Sequence, residues 1–208
     1  IFNNIDKMSF DDISEESDFI PLMTNEDEEA LEKENLPDVL PILPLTNTVL
    51  FPGVVIPINA GRDKTIKLIK DANKSSKLIG VIAQRNINDE NPGVENIYGV
   101  GTVAKILRVL KMPDGNTTVI LQGKKRFKIN SIVKTDPYIQ ATVDPVSDEA
   151  LKKSNSKFSA TIDAIKDIAL KIIKENPNIP SEASFAIKNI HSSAFLINFV
   201  SSNMNIPV

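Results

Sequence analysis

The apolar residues of this chain change their period once, near Pro145, and that switch limits what the chain can fold into. Before it they come in short, β-branched runs: residues 39–45, 54–58, 78–84, 100–110, 117–122, 126–133 and 138–143. Loop and turn residues separate the runs, among them residues 86–93, Pro113-Asp114-Gly115 and Asp136-Pro137. Strand signals spaced every ~8–12 residues predict a small barrel or sandwich. Pro41, Pro44, Pro52 and Pro57 interrupt the first two runs. A proline brings no N–H to a ladder, so these runs are expected at sheet edges or strand ends. A short helix is expected over residues 64–73. After Pro145, Leu151, Phe158, Ile165 and Ile172 fall seven apart, with Ile162 and Ala169 between them. That stripe predicts one long helix, ended by Asn176-Pro177, with two more helices over residues 181–191 and 193–202. The fold class is α+β, with a β-rich subdomain over residues 36–145 and a small helical bundle over 146–208.

Charge divides the chain again. Residues 1–35 carry 12 acidic and 2 basic side chains, net -10, whereas residues 36–208 carry 15 acidic and 22 basic, net +7. A strongly acidic stretch with few apolar residues cannot offset the entropy of ordering it, so 1–35 is expected to be a largely disordered tail. It has neither the basic character of an import peptide nor an apolar signal core, which points to the cytoplasm. The chain begins at Ile1 and not at Met, which reads as an excised or processed product. No apolar run approaches the ~18 residues of a membrane helix, so no membrane partner is expected.

The inventory for catalysis is thin. With no cysteine, a disulfide scaffold, a thiolate metal site and a cysteine nucleophile are excluded. The single histidine, His191, leaves no pair to hold a metal, and Ser193 has no base near it in sequence. Gly99-Val100-Gly101 loosely matches a dinucleotide turn, but β-rich residues follow where a helix N-terminus would have to hold the phosphates. Gly123-Lys124 lacks the rest of a phosphate loop. Lys124, Lys125, Arg126 and Lys128 form the densest basic cluster. Strand alternation turns Phe127 to the opposite face, away from any stacking role, so nucleic acid is not expected. No catalytic, metal-binding or cofactor-binding residue is assigned.

Residues 48–57 are different. Their prolines remove donors and Gly53 permits a tight bend, so part of the stretch is core and part can stay exposed as an apolar contact surface. Val49, Leu50, Phe51, Pro52 and Val54 are the candidate contact residues. Phe51, as a buried ring, and Arg126 are expected to serve mainly folding.

The sequence Pro41-Ile42-Leu43-Pro44-Leu45-Thr46-Asn47-Thr48-Val49-Leu50-Phe51-Pro52-Gly53-Val54-Val55-Ile56-Pro57-Ile58, followed by Gly61-Arg62, closely resembles the opening of the amino-terminal domain of Lon, the ATP-dependent protease. Tyr98-Gly99-Val100-Gly101-Thr102-Val103-Ala104, Gly123 with Arg126-Phe127-Lys128-Ile129, and Asn203-Met204-Asn205-Ile206-Pro207-Val208 fit the same pattern in order. The resemblance spans residues 36–208. It implies a PUA-like pseudo-barrel followed by a helical bundle, and a non-catalytic domain that recruits unfolded or degron-bearing proteins for quality control. It implies other Lon subunits as partners in a homohexamer. ATP and magnesium would serve an ATPase module, and a Ser–Lys dyad a protease module, both outside this chain. The alternative reading is an independent PUA-like module that binds RNA or a small ligand.

Overall fold

A computed structural model describes residues 36–112, 117–146, 156–177, 179, 182–204, 206 and 208. The expected tail 1–35, the turn at Pro113-Asp114-Gly115 and Leu151 lie outside the described residues. In chain order come β1 (Val39–Leu45), β2 (Val55–Ala60), α1 (Asp63–Lys74), β3 (Leu78–Ala83), a 3-10 turn (Val94–Asn96), β4 (Val100–Lys111), β5 (Thr117–Lys134) and β6 (Gln140–Pro145). Then follow α2 (Ser156–Glu175), α3 (Glu182–Asn189) and α4 (Ser193–Ser202). The chain divides into two units, the strands with α1 in one and the last three helices in the other.

The strands form one sheet in the order β2-β5-β4-β3-β1-β6, and β6 also pairs with β5. That extra pairing closes β5, β4, β3, β1 and β6 into a ring, while β2 lies outside it on the first half of β5. Closure depends on the length and coiling of β5. Its 18 residues pair with β2 near the start, with β6 near the end, and with β4 on the other side. Register shifts in the β4–β5 and β5–β6 ladders add the local twist that bends a sheet round. The two runs read separately at 117–122 and 126–133 are therefore one strand. Gly123, which reads as a break, is an interior residue of β5.

Phe127 fills the ring. Its side chain is fully buried, with Leu40, Ile42, Leu78, Ile82, Val103, Ala141 and Val143 in the same cluster. Two glycines make room for it. A Cβ at Gly80 would lie 2.9 Å from Phe127 Cζ, and one at Gly101 2.8 Å from the same atom. β3 is buried along both faces, because its other face meets the covering layer, where α1 buries Leu68, Ile69 and Ala72 and packs on β1 and β3. The 12-residue α1 carries Asp63 in its first turn and Lys74 in its last, both favourable to its dipole.

Strand β1 corrects the expectation that its prolines mark an edge. It lies between β3 and β6, yet neither proline breaks a ladder. The Leu45 carbonyl accepts from Gln84 N–H on the β3 side, and Ile42 N–H donates to the Ile139 carbonyl on the β6 side. Odd residues thus address β3 and even residues β6. Pairing with β3 begins at Ile42, one residue after Pro41, and pairing with β6 ends at Pro41, before Pro44. Each missing N–H falls where no partner strand needs it.

Tyr138 ties the approach to β6 onto α1: its hydroxyl donates to the Asp71 carboxylate at 3.1 Å. Burial raises the pKa of this phenol above the ordinary value, and the bond to Asp71 and its charge raise it further. The neutral phenol is thus the form favoured by folding. Its contribution is complete at neutral pH and is lost as pH rises through the raised folded value. In a Tyr98→Phe chain, where Tyr138 is the one phenol left, phenolate absorbance is expected to appear at higher pH than in the unfolded chain. Adding Asp71→Asn should bring it part of the way back. Coincident titrations of the folded and unfolded chains would contradict this.

In the helical unit, α2 has no fully buried residue. Phe158, Ile162, Ile165 and Ala169 are half-buried, as the stripe requires, but Ile172 is 55% exposed and Ile173 takes the half-buried side. A straight helix drifts by about 20° per heptad, so a strict spacing of seven leaves the packed face after two repeats. Ser192 caps α4, its hydroxyl accepting from Phe195 N–H at 3.0 Å, and Phe195 and Leu196 are buried. Lys166 donates to the Ile190 carbonyl at 2.7 Å, and His191 is exposed beside it. No helix of the described residues is long and apolar enough to cross a membrane.

Candidate functional site

The proline-broken stretch leaves β1 through Asn47, which takes a left-handed φ of 47°, and then bends at Phe51-Pro52-Gly53-Val54. Val54 N–H donates to the Phe51 carbonyl at 3.2 Å and Gly53 has φ 79°. This is a type II turn, with proline preset for its second position and glycine supplying the positive φ of the third. Three bonds clamp the turn to the sheet. Gly53 N–H donates to the Gly123 carbonyl at 2.9 Å, and Gly123 N–H donates to the Val54 carbonyl at 2.8 Å. The buried Thr102 hydroxyl donates to the Leu50 carbonyl at 2.6 Å. The contact is close enough that a Cβ at Gly123 would meet the Phe51 carbonyl group.

This geometry sorts the five candidate residues. Leu50 (3% exposed) and Val54 (8%) point into the core. Val49 is 40% exposed, and Phe51 and Pro52 are half-buried. The expectation of a buried Phe51 ring is corrected: the scaffold uses its carbonyl, and the side chain keeps part of its surface in solvent. Arg126 is half-buried in β5 opposite Thr102, and its carbonyl accepts from Val146 N–H at 2.9 Å.

The loop runs straight into β2, whose outward face continues the apolar surface. Register aligns Pro57 with Ile120 of β5, and Ile120 with Arg108 of β4. Val55, Gln122 and Lys105 form the next row, and Asn59, Thr118 and Leu110 the row beyond. Pro57, Arg108 and Lys105 are exposed, and Val55, Ile120 and Leu110 half-buried. Sequence reading missed these rows. Ile120 lies on a single strand in sequence, and only register across three strands places it beside Pro57. The surface that results carries Val55, Pro57, Ile120 and Leu110 among the polar Gln122, Asn59 and Thr118, with the basic Lys105 and Arg108 along one side. It offers shape and desolvation, with no reacting group.

Other sequence features resolve into scaffold. Gly101 lies within β4, and strand residues follow it where a dinucleotide turn would need a helix N-terminus. Lys128 is exposed while Phe127 is inside the ring, which leaves the basic cluster without a stacking ring from Phe127. Arg85 lies over the Tyr98 ring at 4.5 Å, a pairing that no sequence signal announced. Among the described residues no group of three or more His, Cys, Asp or Glu could hold a metal.

A family model described as the ATP-dependent protease La (LON) substrate-binding domain matches residues 39–208. The chain is 61% identical to a Lon protease of Flavobacterium johnsoniae over 204 residues, covering 98% of this chain and 25% of that protein. It is 50% identical to a Lon protease of Cytophaga hutchinsonii over 192 residues, covering 92% and 24%. The chain thus spans about a quarter of the length of these curated relatives. Its fold is similar to the N-terminal domain of the Mycobacterium avium complex Lon protease, with a TM-score of 0.63 at 19% identity over 81% of this chain and 84% of that one.

Proposed function

The chain belongs to the LON substrate-binding domain family, and on that premise we propose that it is a non-catalytic recognition domain for exposed apolar segments of unfolded or damaged proteins. The observation that carries this reading is the partly exposed apolar surface of Val49, Phe51 and Pro52, on a turn hydrogen-bonded to Gly123 and Thr102 and continued by Val55, Pro57 and Ile120. A loop held by three hydrogen bonds to a closed ring needs little reordering when it binds, which lowers the entropic cost of association. The parent protein is an ATP-dependent serine endopeptidase of the cytoplasm, active in protein quality control. Its ATP, magnesium and Ser–Lys dyad belong to modules outside this chain, and its subunits assemble as a homohexamer. Residues 36–145 are the recruiting subdomain and 146–208 the helical one.

A site that must hand its cargo to a motor is expected to bind weakly, at micromolar Kd or above, about -8 kcal/mol. Several copies in one assembly raise the effective affinity without new contacts. The test is titration with reduced, carboxymethylated lysozyme and with native lysozyme, at low and at high salt. Preference for the unfolded form with little loss in salt is the expected result, since apolar contact is far less screened than phosphate pairing. A Val49→Asp chain, altered at a 40% exposed loop position outside any strand, should bind several-fold more weakly with little change in melting temperature. Equal affinity for both forms of lysozyme would reject recruitment. A steep salt loss with RNA binding would favour the alternative module.

A further inference from the structure

We propose that the outer edge of β2 receives the recruited polypeptide as an added strand, so that recognition reads the backbone as well as apolar side chains. This deepens the recruitment reading and rests on it. The ladder phase supplies the first observation. Gly123 N–H donates to Val54 O, and from there Ile56, Ile58 and Ala60 turn their backbone groups toward β5. Val55, Pro57 and Asn59 therefore turn theirs away, and no strand among the described residues pairs with that edge. It presents three carbonyl acceptors, at Val55, Pro57 and Asn59, and two N–H donors, at Val55 and Asn59.

An extended backbone repeats donors and acceptors at that spacing whatever its sequence, which suits a recruiter of many different unfolded proteins. Side chains of the added strand next to Val55, Pro57 and Asn59 would share the outward face with Ile120, so alternate apolar residues are favoured. Pro57 decides against a second copy of this chain as occupant. Two β2 edges laid together bring two prolines, and every antiparallel register that overlaps more than one outward-facing residue loses a donor from each side. A foreign strand loses only the single donor that Pro57 lacks. The edge is thus blunted against self-association, remains usable by an unfolded chain, and binds it weakly enough to release it.

The test uses the full chain with reduced, carboxymethylated lysozyme. On saturation, amide exchange of Val55 and Asn59 should slow, while that of Ile56 and Ile58, already bonded to β5, stays unchanged. Asn59→Pro removes an outward N–H and no bond to β5. It should weaken binding roughly three- to tenfold, the range of one net hydrogen bond. Asn59→Ala keeps the N–H and loses only the side-chain contact with Thr118, so it should bind more tightly than Asn59→Pro. Binding without protection of Val55 and Asn59, or equal affinity of the two variants, would overturn strand addition and leave recruitment standing. No binding of the unfolded probe at all would reject both.

Discussion

Phe127→Ala is expected to remove about 3–5 kcal/mol of stability, a large share of the ~5–15 kcal/mol that holds an ordinary domain. The ring is fully buried at the centre of the strand ring, and β3 and β4 each carry a glycine to admit it. Deleting it leaves a void bounded by two positions that have no side chain to collapse inward, so relaxation should be poor. In urea, followed by far-ultraviolet circular dichroism, the β-rich unit should unfold at a much lower denaturant concentration with a similar slope. Phe127→Leu should lie between the two. A midpoint unchanged by Phe127→Ala would contradict the placement of this ring as the core.

Gly123→Ala is expected to cost about 1–3 kcal/mol and to weaken cargo binding together with stability. The new methyl would meet the Phe51 carbonyl group, which is backbone and cannot swing aside as a side chain could. Relief requires the turn to lift from β5, which strains the two bonds between Gly53, Val54 and Gly123. Val49, Phe51 and Pro52 would then lose their fixed presentation. Gly61→Ala is the control, because a Cβ there meets nothing within 4 Å. It should change melting by no more than about 0.5 kcal/mol equivalent. Thermal melts of the two variants and their titration with unfolded lysozyme check both effects. If Gly123→Ala melted and bound like Gly61→Ala, the clamp would have no role.

The candidate site was legible in part. Proline and glycine at 52 and 53 announced a bend, because their backbone preferences are properties of single residues. The division of labour along residues 49–54 was not visible. Leu50 and Val54 are no more apolar in sequence than Val49, and only the clamp to Gly123 and Thr102 turns two inward and leaves one out. Arg85 over Tyr98 was likewise unreadable, since 12 intervening residues fold back to bring the pair together.

What the sequence determined by itself was local: where strands give way to helices near Pro145, the helix at Asp63–Lys74, the turn at Pro52-Gly53, and the inward side of Phe127. Each follows from alternation, periodicity or a residue's own allowed dihedrals, which neighbours a few positions away settle. Tertiary structure alone decided that residues 117–134 are one strand serving three partners. It alone decided that β1 changes partner between its prolines, although β2 takes the edge position that Pro57 predicts. These outcomes depend on register, and register is set by which distant strand arrives opposite a given N–H. A hydrogen-bond partner tens of residues away leaves no mark in the local pattern, so a missing donor or an absent side chain acquires its meaning only when the ring closes.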